Sequence, residues 1–338
     1  MRKLVWLILL GILAAAGWAA WAVLTPVTPP GEIFVMLRPG FSTRRIAAEL
    51  AKVGVIRNQQ AFVLWHYLHR GRSLKAGEYR FANAANIVDI QKRLRRGDVY
   101  FHTVVVPEGF TMFDVGRAVE AAGLGAAGDF VKEAQTDTAL VADIAPHVPS
   151  LEGYLFPETY QFSRMMTMAE MAAAMVKQFR QVAGQIGLIP AAGGAAADGQ
   201  GPDVATVVTM ASIVEKETAV PEERPMVASV YYNRLAHHVA LDADPSIIYA
   251  ELLAGSYQGA LHHEDMSYDS PYNTYRHVGL PPGPIGNPGR SSLEAAMHPA
   301  QTDYFYFVAD AQGHHRFSRT FEEHNKNVAA YRKAMQGR

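Results

Sequence analysis

The chain contains no cysteine. That absence excludes disulfides, thiolate metal sites and cysteine nucleophiles, and it is compatible with any compartment. Net charge is also scarce. The 31 Lys and Arg residues nearly cancel the 32 Asp and Glu, leaving −1, so nothing electrostatic points to a nucleic-acid partner. Two catalytic signatures are missing as well. No His-Glu-x-x-His pattern occurs, and the histidine pairs His237-His238, His262-His263 and His314-His315 are adjacent, so their rings do not easily aim at one ion. Only His262-His263-Glu264-Asp265 keeps a metal site open; the expectation is no metal and no cofactor. The Gly-x-Ser-x-Gly elbow of α/β-hydrolase serine enzymes is absent too. A chain of 338 residues, nearly half of them hydrophobic, can nonetheless bury a substantial core in about two domains.

What is present begins at the N-terminus. Arg2 and Lys3 precede an uncharged run from Leu4 to Leu24, long enough for a helix to cross the hydrocarbon core. The cations favour a cytoplasmic N-terminus (residues 1–3), a transmembrane anchor over 4–24, and everything beyond on the outer side; Trp18 and Trp21 suit the outer interface. The competing reading is a cleaved signal peptide, with Ala20-Trp21-Ala22 as a small-x-small site. Both readings export the remainder. Residues 25–31, ending after Pro29-Pro30, read as a stiff linker.

From Ile33 the pattern is strand, turn, helix, helix, strand. Ile33–Leu37 is β-prone, Ser42 caps a helix through Lys52, Asn58 caps Gln59–Arg70, and Ala76–Phe81 returns as a strand. The unit partly recurs. Pro39-Gly40-Phe41-Ser42 and Val53-Gly54-Val55 parallel Glu108-Gly109-Phe110-Thr111 and Ala122-Gly123-Leu124, and Lys75–Tyr79 parallels Leu151–Tyr154. Either two related modules or the common use of Gly-aromatic turns before helices explains this. Gly123-Leu124-Gly125-Ala126-Ala127-Gly128 has dinucleotide-fingerprint spacing, but Met112–Ala122 before it is helix-patterned where the fingerprint needs a strand. It reads as a helix–helix turn. Residues 190–202, nearly all Ala, Gly, Pro, Asp and Gln, read as a flexible loop.

The most pointed segment is Ala205–Thr218, a helix pattern with Val207, Met210, Ala211 and Val214 on one stripe. Glu215 and Glu217 flank that stripe. Glu217 follows bulky Ile213 and Val214, whereas Glu215 follows Ala211 and Ser212. A carboxyl against apolar groups is costly to ionise, which suits a general acid; solvated helix-terminal charges are the plain alternative. Beyond it come Asn233-Arg234, Asp244-Pro245-Ser246, Ser270–Tyr275 and Gly279–Ile285, proline-stiffened loops whose aromatic rings, amides and hydroxyls suit a sugar groove.

These stretches, with Glu152–Tyr160, Ala211–Thr218, Val227–Leu235, Tyr304–Ala309 and His324-Asn325, resemble the endolytic murein transglycosylases of the MltG (YceG-like) type along essentially the whole chain. The resemblance implies an α+β architecture: the N-terminal transmembrane helix, a small LysM-like α/β module over 32–98, and a larger mixed α/β catalytic domain over 99–338. It implies a peptidoglycan lytic transglycosylase that cleaves the MurNAc-β-1,4-GlcNAc bond of nascent strands, leaves 1,6-anhydro-MurNAc ends and terminates elongation at the inner membrane, with a periplasmic catalytic domain. The family's catalytic glutamate maps onto Glu217. Substrate-binding candidates are Asn233, Asp244, Ser246, Asn273, Tyr275 and Tyr154; Glu215 and Glu223 are the next carboxylates. Partners are glycan strands, the membrane, and penicillin-binding proteins or other synthases. A non-catalytic peptidoglycan-binding scaffold is the rival reading.

Overall fold

A computed structural model of the chain describes residues 2–69, 73–190 and 203–336. The stretch read as a flexible loop lies, apart from Pro190, outside the described residues. Among those described, twelve α-helices accompany three two-stranded sheets, a mixed α/β content. The chain divides into two units: residues 1–102 with 161–166, and residues 103–160 with 167–338.

In the first unit, helix α1 (Arg2–Leu24) is long and apolar enough to cross a membrane. Strand β1 (Ile33–Leu37) pairs antiparallel with β2 (Gly77–Phe81), Ile33 opposite Phe81 and Leu37 opposite Gly77. Between them lie α2 (Thr43–Lys52) and α3 (Gln59–Leu68); α4 (Ile87–Arg96) follows. Both predicted caps form: Ser42 accepts from the Arg45 N–H, and Asn58 from the Ala61 N–H at 2.8 Å. Alternation along β1 and the i, i+1, i+4 residues Ile46, Ala47 and Leu50 on one face of α2 supply the core, with Phe62, Tyr79, Ile90 and Leu94. The expected linker does not stand clear of this unit. Val27 bridges Ala85, and the Pro26 carbonyl accepts from Arg57.

The strand–helix–helix–strand order then repeats as β3 (His102–Val106), α5 (Met112–Ala121), α6 (Ala127–Thr136) and β4 (Glu158–Phe162), with β3 and β4 paired. Backbone details match. Gly40 and Gly109 both take left-handed φ, 81° and 77°, before a Ser42 or Thr111 cap. At the helix ends the Val55 N–H reaches the Leu50 carbonyl as the Leu124 N–H reaches that of Val119. The closing strands correspond as Gly77–Phe81 and Glu158–Phe162; Tyr79 Oη donates to the Lys75 carbonyl and Tyr160 Oη to that of Phe156, each four residues back. The parallel drawn from the sequence between Lys75–Tyr79 and Leu151–Tyr154 is therefore displaced. Glu152-Gly153-Tyr154 lies in a turn ahead of β4.

The second unit is built on α8 (Val204–Glu217), in which Val204 and every residue from Val207 to Val214 are buried. A helix apolar nearly all round belongs in a core. It packs against α9 (Arg224–Ala236), α10 (Asp244–Ala254) and α11 (Arg290–Met297), while α7 (Met168–Gln185) packs on α6. A hairpin of β5 (Tyr306–Ala309) and β6 (His315–Ser318) packs against α12 (Phe321–Gln336).

Candidate active site

The buried helix α8 delivers two carboxyls at its C-terminal end, and they meet different surroundings. The Glu215 side chain is only 5% exposed; it pairs with the Arg224 guanidinium at 2.8 Å and accepts from the Gly289 N–H at 2.9 Å. Burial raises its pKa, partly offset by that N–H and by Arg224. Glu215 is held inside the protein. Glu217, half-buried, lines a cleft of about 360 Å³ instead. Protein surrounds the carboxyl on all but its open side, and this burial lifts its pKa to about 7; the charge of Asp244 adds to the rise, while a hydrogen bond from Tyr231 and the charge of Arg234 oppose it.

Four further elements furnish the cleft, with the loop that carries Tyr275. Tyr231 and Arg234, one turn apart on α9, both line it. Arg234 is fixed by donating Nε to the Phe305 carbonyl at 2.7 Å and Nη1 to Asp242 at 3.0 Å, where Asp242 holds a left-handed backbone (φ 51°). Asp244 stands at the start of α10 and accepts from Tyr275 Oη at 2.5 Å. Tyr306 and Phe307 of β5 and Phe321 and His324 of α12 form the aromatic wall; Tyr306 stacks on His324 at 5.3 Å and lies 5.3 Å from the Arg234 guanidinium carbon. The buried Nδ1 of His324 has no hydrogen-bond partner, and burial with the nearby Arg234 charge lowers its pKa.

Of the residues singled out from sequence, Glu217, Asp244 and Tyr275 come together here. The others are placed elsewhere. Asn233 donates to the Thr302 and Tyr304 carbonyls, both at 2.9 Å, on a different side of α9 from Arg234. Ser246 is fully buried and bonds Thr274 Oγ1 at 2.9 Å, and fully buried Asn273 donates to the Met266 and Tyr268 carbonyls while accepting from the Tyr275 N–H. These two brace the loop that sets Tyr275 beside Asp244. Tyr154 is buried against Phe179, and Glu223 accepts from both His314 and His315. Tyr231, Arg234, Asp242 and the aromatic wall were not among the candidates, although Arg234 stands in the Asn233-Arg234 pair and Tyr231, Tyr306, Phe307 and His324 lie in the stretches that carry the resemblance. Besides their place in the Val227–Leu235 stretch, Tyr231 and Arg234 carried a usable signal in their shared helical face.

Outside the lining of the cleft, Glu152 and Asn287 form a buried node. Glu152 accepts from the Met112 N–H at 2.9 Å and from Asn287 Nδ2 at 2.8 Å, while Asn287 also accepts from the Leu155 N–H and donates to the Phe110 carbonyl. Burial pushes the Glu152 pKa up to about 8. The node ties the start of α5 to the Glu152–Leu155 turn and to the proline-rich loop before α11.

A carboxyl lifted to about 7, with a second carboxylate, an arginine and aromatic faces around it, has the groups that acid-assisted bond cleavage uses. The chain belongs to the YceG-like family, which it matches over residues 35–330. It is 31% identical over 328 residues to the endolytic murein transglycosylase of Bacillus subtilis (strain 168), across 92% of this chain and 88% of that protein. It is 29% identical to the endolytic murein transglycosylase of Streptococcus pneumoniae serotype 2 (strain D39 / NCTC 7466), across 96% of this chain and 64% of that longer one. The crystal structure of a yceG-like protein from Listeria monocytogenes, 32% identical, aligns with a TM-score of 0.55 over 87% of this chain and 98% of that one.

Proposed function

We propose that this protein is a peptidoglycan lytic transglycosylase that cuts within glycan strands, with Glu217 as its acid and base. The observation that carries the reading is a cleft-facing carboxyl whose pKa is lifted to about 7. Glycosidases ordinarily use two carboxyl groups, one as acid and one as nucleophile or base. A single one suffices when the muramyl C6 hydroxyl is the nucleophile. Glu217 first protonates the leaving glycosidic oxygen; as a carboxylate it then takes the C6 hydroxyl proton, and the product is a 1,6-anhydro-MurNAc end. Asp244 stabilises positive charge developing at C1 and Tyr275 orients it, a reading supported by their hydrogen bond and their shared cleft. Arg234 and the Tyr306–His324 stack offer a donor and a face for the sugars.

The membrane-length α1 supports a single-pass anchor that places the catalytic unit outside the cytoplasm, where new strands emerge and synthases, penicillin-binding proteins among them, act. The β1-α2-α3-β2 order supports a LysM-like reading of residues 32–98, a module that presents N-acetylglucosamine-containing strands.

Glu217→Gln keeps the shape and removes the proton chemistry. It should lose on the order of 10²–10⁴ in rate while still binding glycan. Mass spectrometry of the wild-type digest should show ends one water lighter than hydrolysed ones. Full-rate cleavage by the variant, or reducing ends throughout, refutes the mechanism. Binding without any cleavage by the wild-type chain favours the scaffold reading.

A further inference from the structure

The core of the first unit leaves one stripe of α3 unexplained. Leu64, Tyr67 and Leu68 fall at i, i+3 and i+4, on one face, and are 50%, 64% and 68% exposed. The same helix turns Ala61, Phe62 and His66 into the core, so α3 is apolar on both sides. An apolar stripe left facing outward marks a contact surface.

Three observations indicate what covers it. Helix α3 packs directly on α1, and the last turn of α1 is part of the same core through Ala22 and Val23. No free tether intervenes, because Val27 bridges Ala85, Pro26 receives the Arg57 hydrogen bond, and the Arg57 guanidinium carbon lies 5.1 Å from the Trp21 ring centre. Charge points the same way. Residues 32–98 hold 13 Lys and Arg against 5 Asp and Glu, a formal +8 in a chain whose total is −1. The chemistry that meets an apolar stripe beside a membrane-length helix, within a cationic module, is an anionic lipid surface.

We propose that α3 is an interfacial helix, with Leu64, Tyr67 and Leu68 seated among the headgroups and upper acyl chains beside α1 and the module's cations facing anionic lipid. This rests on the reading of α1 as a membrane span. The first unit is then held on the bilayer by two contacts, a spanning helix and a surface helix, instead of swinging on a linker.

The lack of native cysteine allows one probe at a time. Gly11→Cys, Leu64→Cys and Leu68→Cys, each in the full chain reconstituted into phosphatidylglycerol-containing bilayers, are labelled with a nitrobenzoxadiazole dye and challenged with lipids spin-labelled at shallow or deep positions. Gly11 has nothing within 4 Å of an added Cβ and reports on α1 alone. Deep quenching is expected at 11; at 64 and 68 the emission should shift to the blue, with shallow labels quenching about twofold more than deep ones. Replacing phosphatidylglycerol by phosphatidylcholine should weaken the signal at 64 and 68. Quenching at 11 with water-like emission at 64 and 68 overturns the proposal and leaves the anchor standing. No quenching at 11 overturns the anchor reading itself, and a signal indifferent to lipid charge removes the role given to the cations.

Discussion

Two glutamates two positions apart at one helix end illustrate how environment, not residue type, sets the electrostatics of a carboxyl. Glu215 has a guanidinium and a backbone N–H as partners inside the protein, so its charge is compensated; Glu217 has a tyrosine hydroxyl beside it, Asp244 nearby and an open cleft in front. The electrostatics around Glu217 make a signed prediction. The Tyr231 hydrogen bond favours the ionised form, so Tyr231→Phe should raise the Glu217 pKa and move the alkaline limb of kcat/KM to higher pH. The Asp244 charge disfavours ionisation, so Asp244→Asn should move that limb to lower pH. In the parent the acid form, and with it the rate, should decline as pH rises through about 7. Opposite shifts of about one pH unit, roughly 1.4 kcal/mol each, are expected in glycan-cleavage profiles. Shifts of the same sign in both variants contradict this account. From the sequence, the bulk of Ile213 and Val214 one turn back leaned only weakly toward Glu217, with solvated helix-end charges left open; the structure sets Glu217 rather than Glu215 in the cleft. The choice of Arg234 over Asn233 was not legible there, because adjacent helical residues point about 100° apart and only the packing of α9 sets which one meets the cleft.

At the scale of elements, the strand–helix–helix–strand unit occurs twice, and its first half was readable because turn glycines and Ser or Thr caps act within four residues of themselves. Its second half was displaced in the reading because a glycine closely followed by a tyrosine occurs both at the start of β2 (Gly77-Glu78-Tyr79) and in the turn before β4 (Gly153-Tyr154). In that turn Gly153 has φ 87°, and an added Cβ would stand 2.5 Å from Pro284 Cγ and 2.7 Å from Val208 Cγ1. Gly153→Ala should therefore destabilise by about 2 kcal/mol or more, from backbone strain and overpacking against α8. Denaturant midpoints measure it; a variant as stable as the parent would show that the turn and the proline loop can yield. Glu152 and Asn287, which do not line the cleft, hold the proline loop and the start of α5 to one another.

For the whole molecule, formal charge is distributed unevenly. Residues 32–98 are +8 while the full chain is −1, so the neutral total conceals a cationic stretch followed by an acidic remainder. The glycan-presenting role proposed for that stretch as a module is tested in the Glu217→Gln background, where strands bind without being cut. Deleting Glu32–Asp98 with α1 retained should weaken binding of N-acetylglucosamine-containing strands several-fold; equal affinity would remove the module from recognition. What the sequence by itself determined is what local physics governs: a membrane-length apolar helix, the caps of α2 and α3, the strand at Ile33–Leu37, and an acid at the end of an apolar helix. Tertiary structure alone decided the company that acid keeps. Tyr231, Arg234, Asp244, Tyr306 and His324 come from four elements far apart in the chain, and no periodicity records which faces of those elements will meet. Asn233, Ser246 and Asn273 have the polar chemistry of sugar ligands, yet their hydrogen bonds close on backbone and hydroxyl partners of the fold, because a buried polar group must find a partner and the nearest one was within the protein.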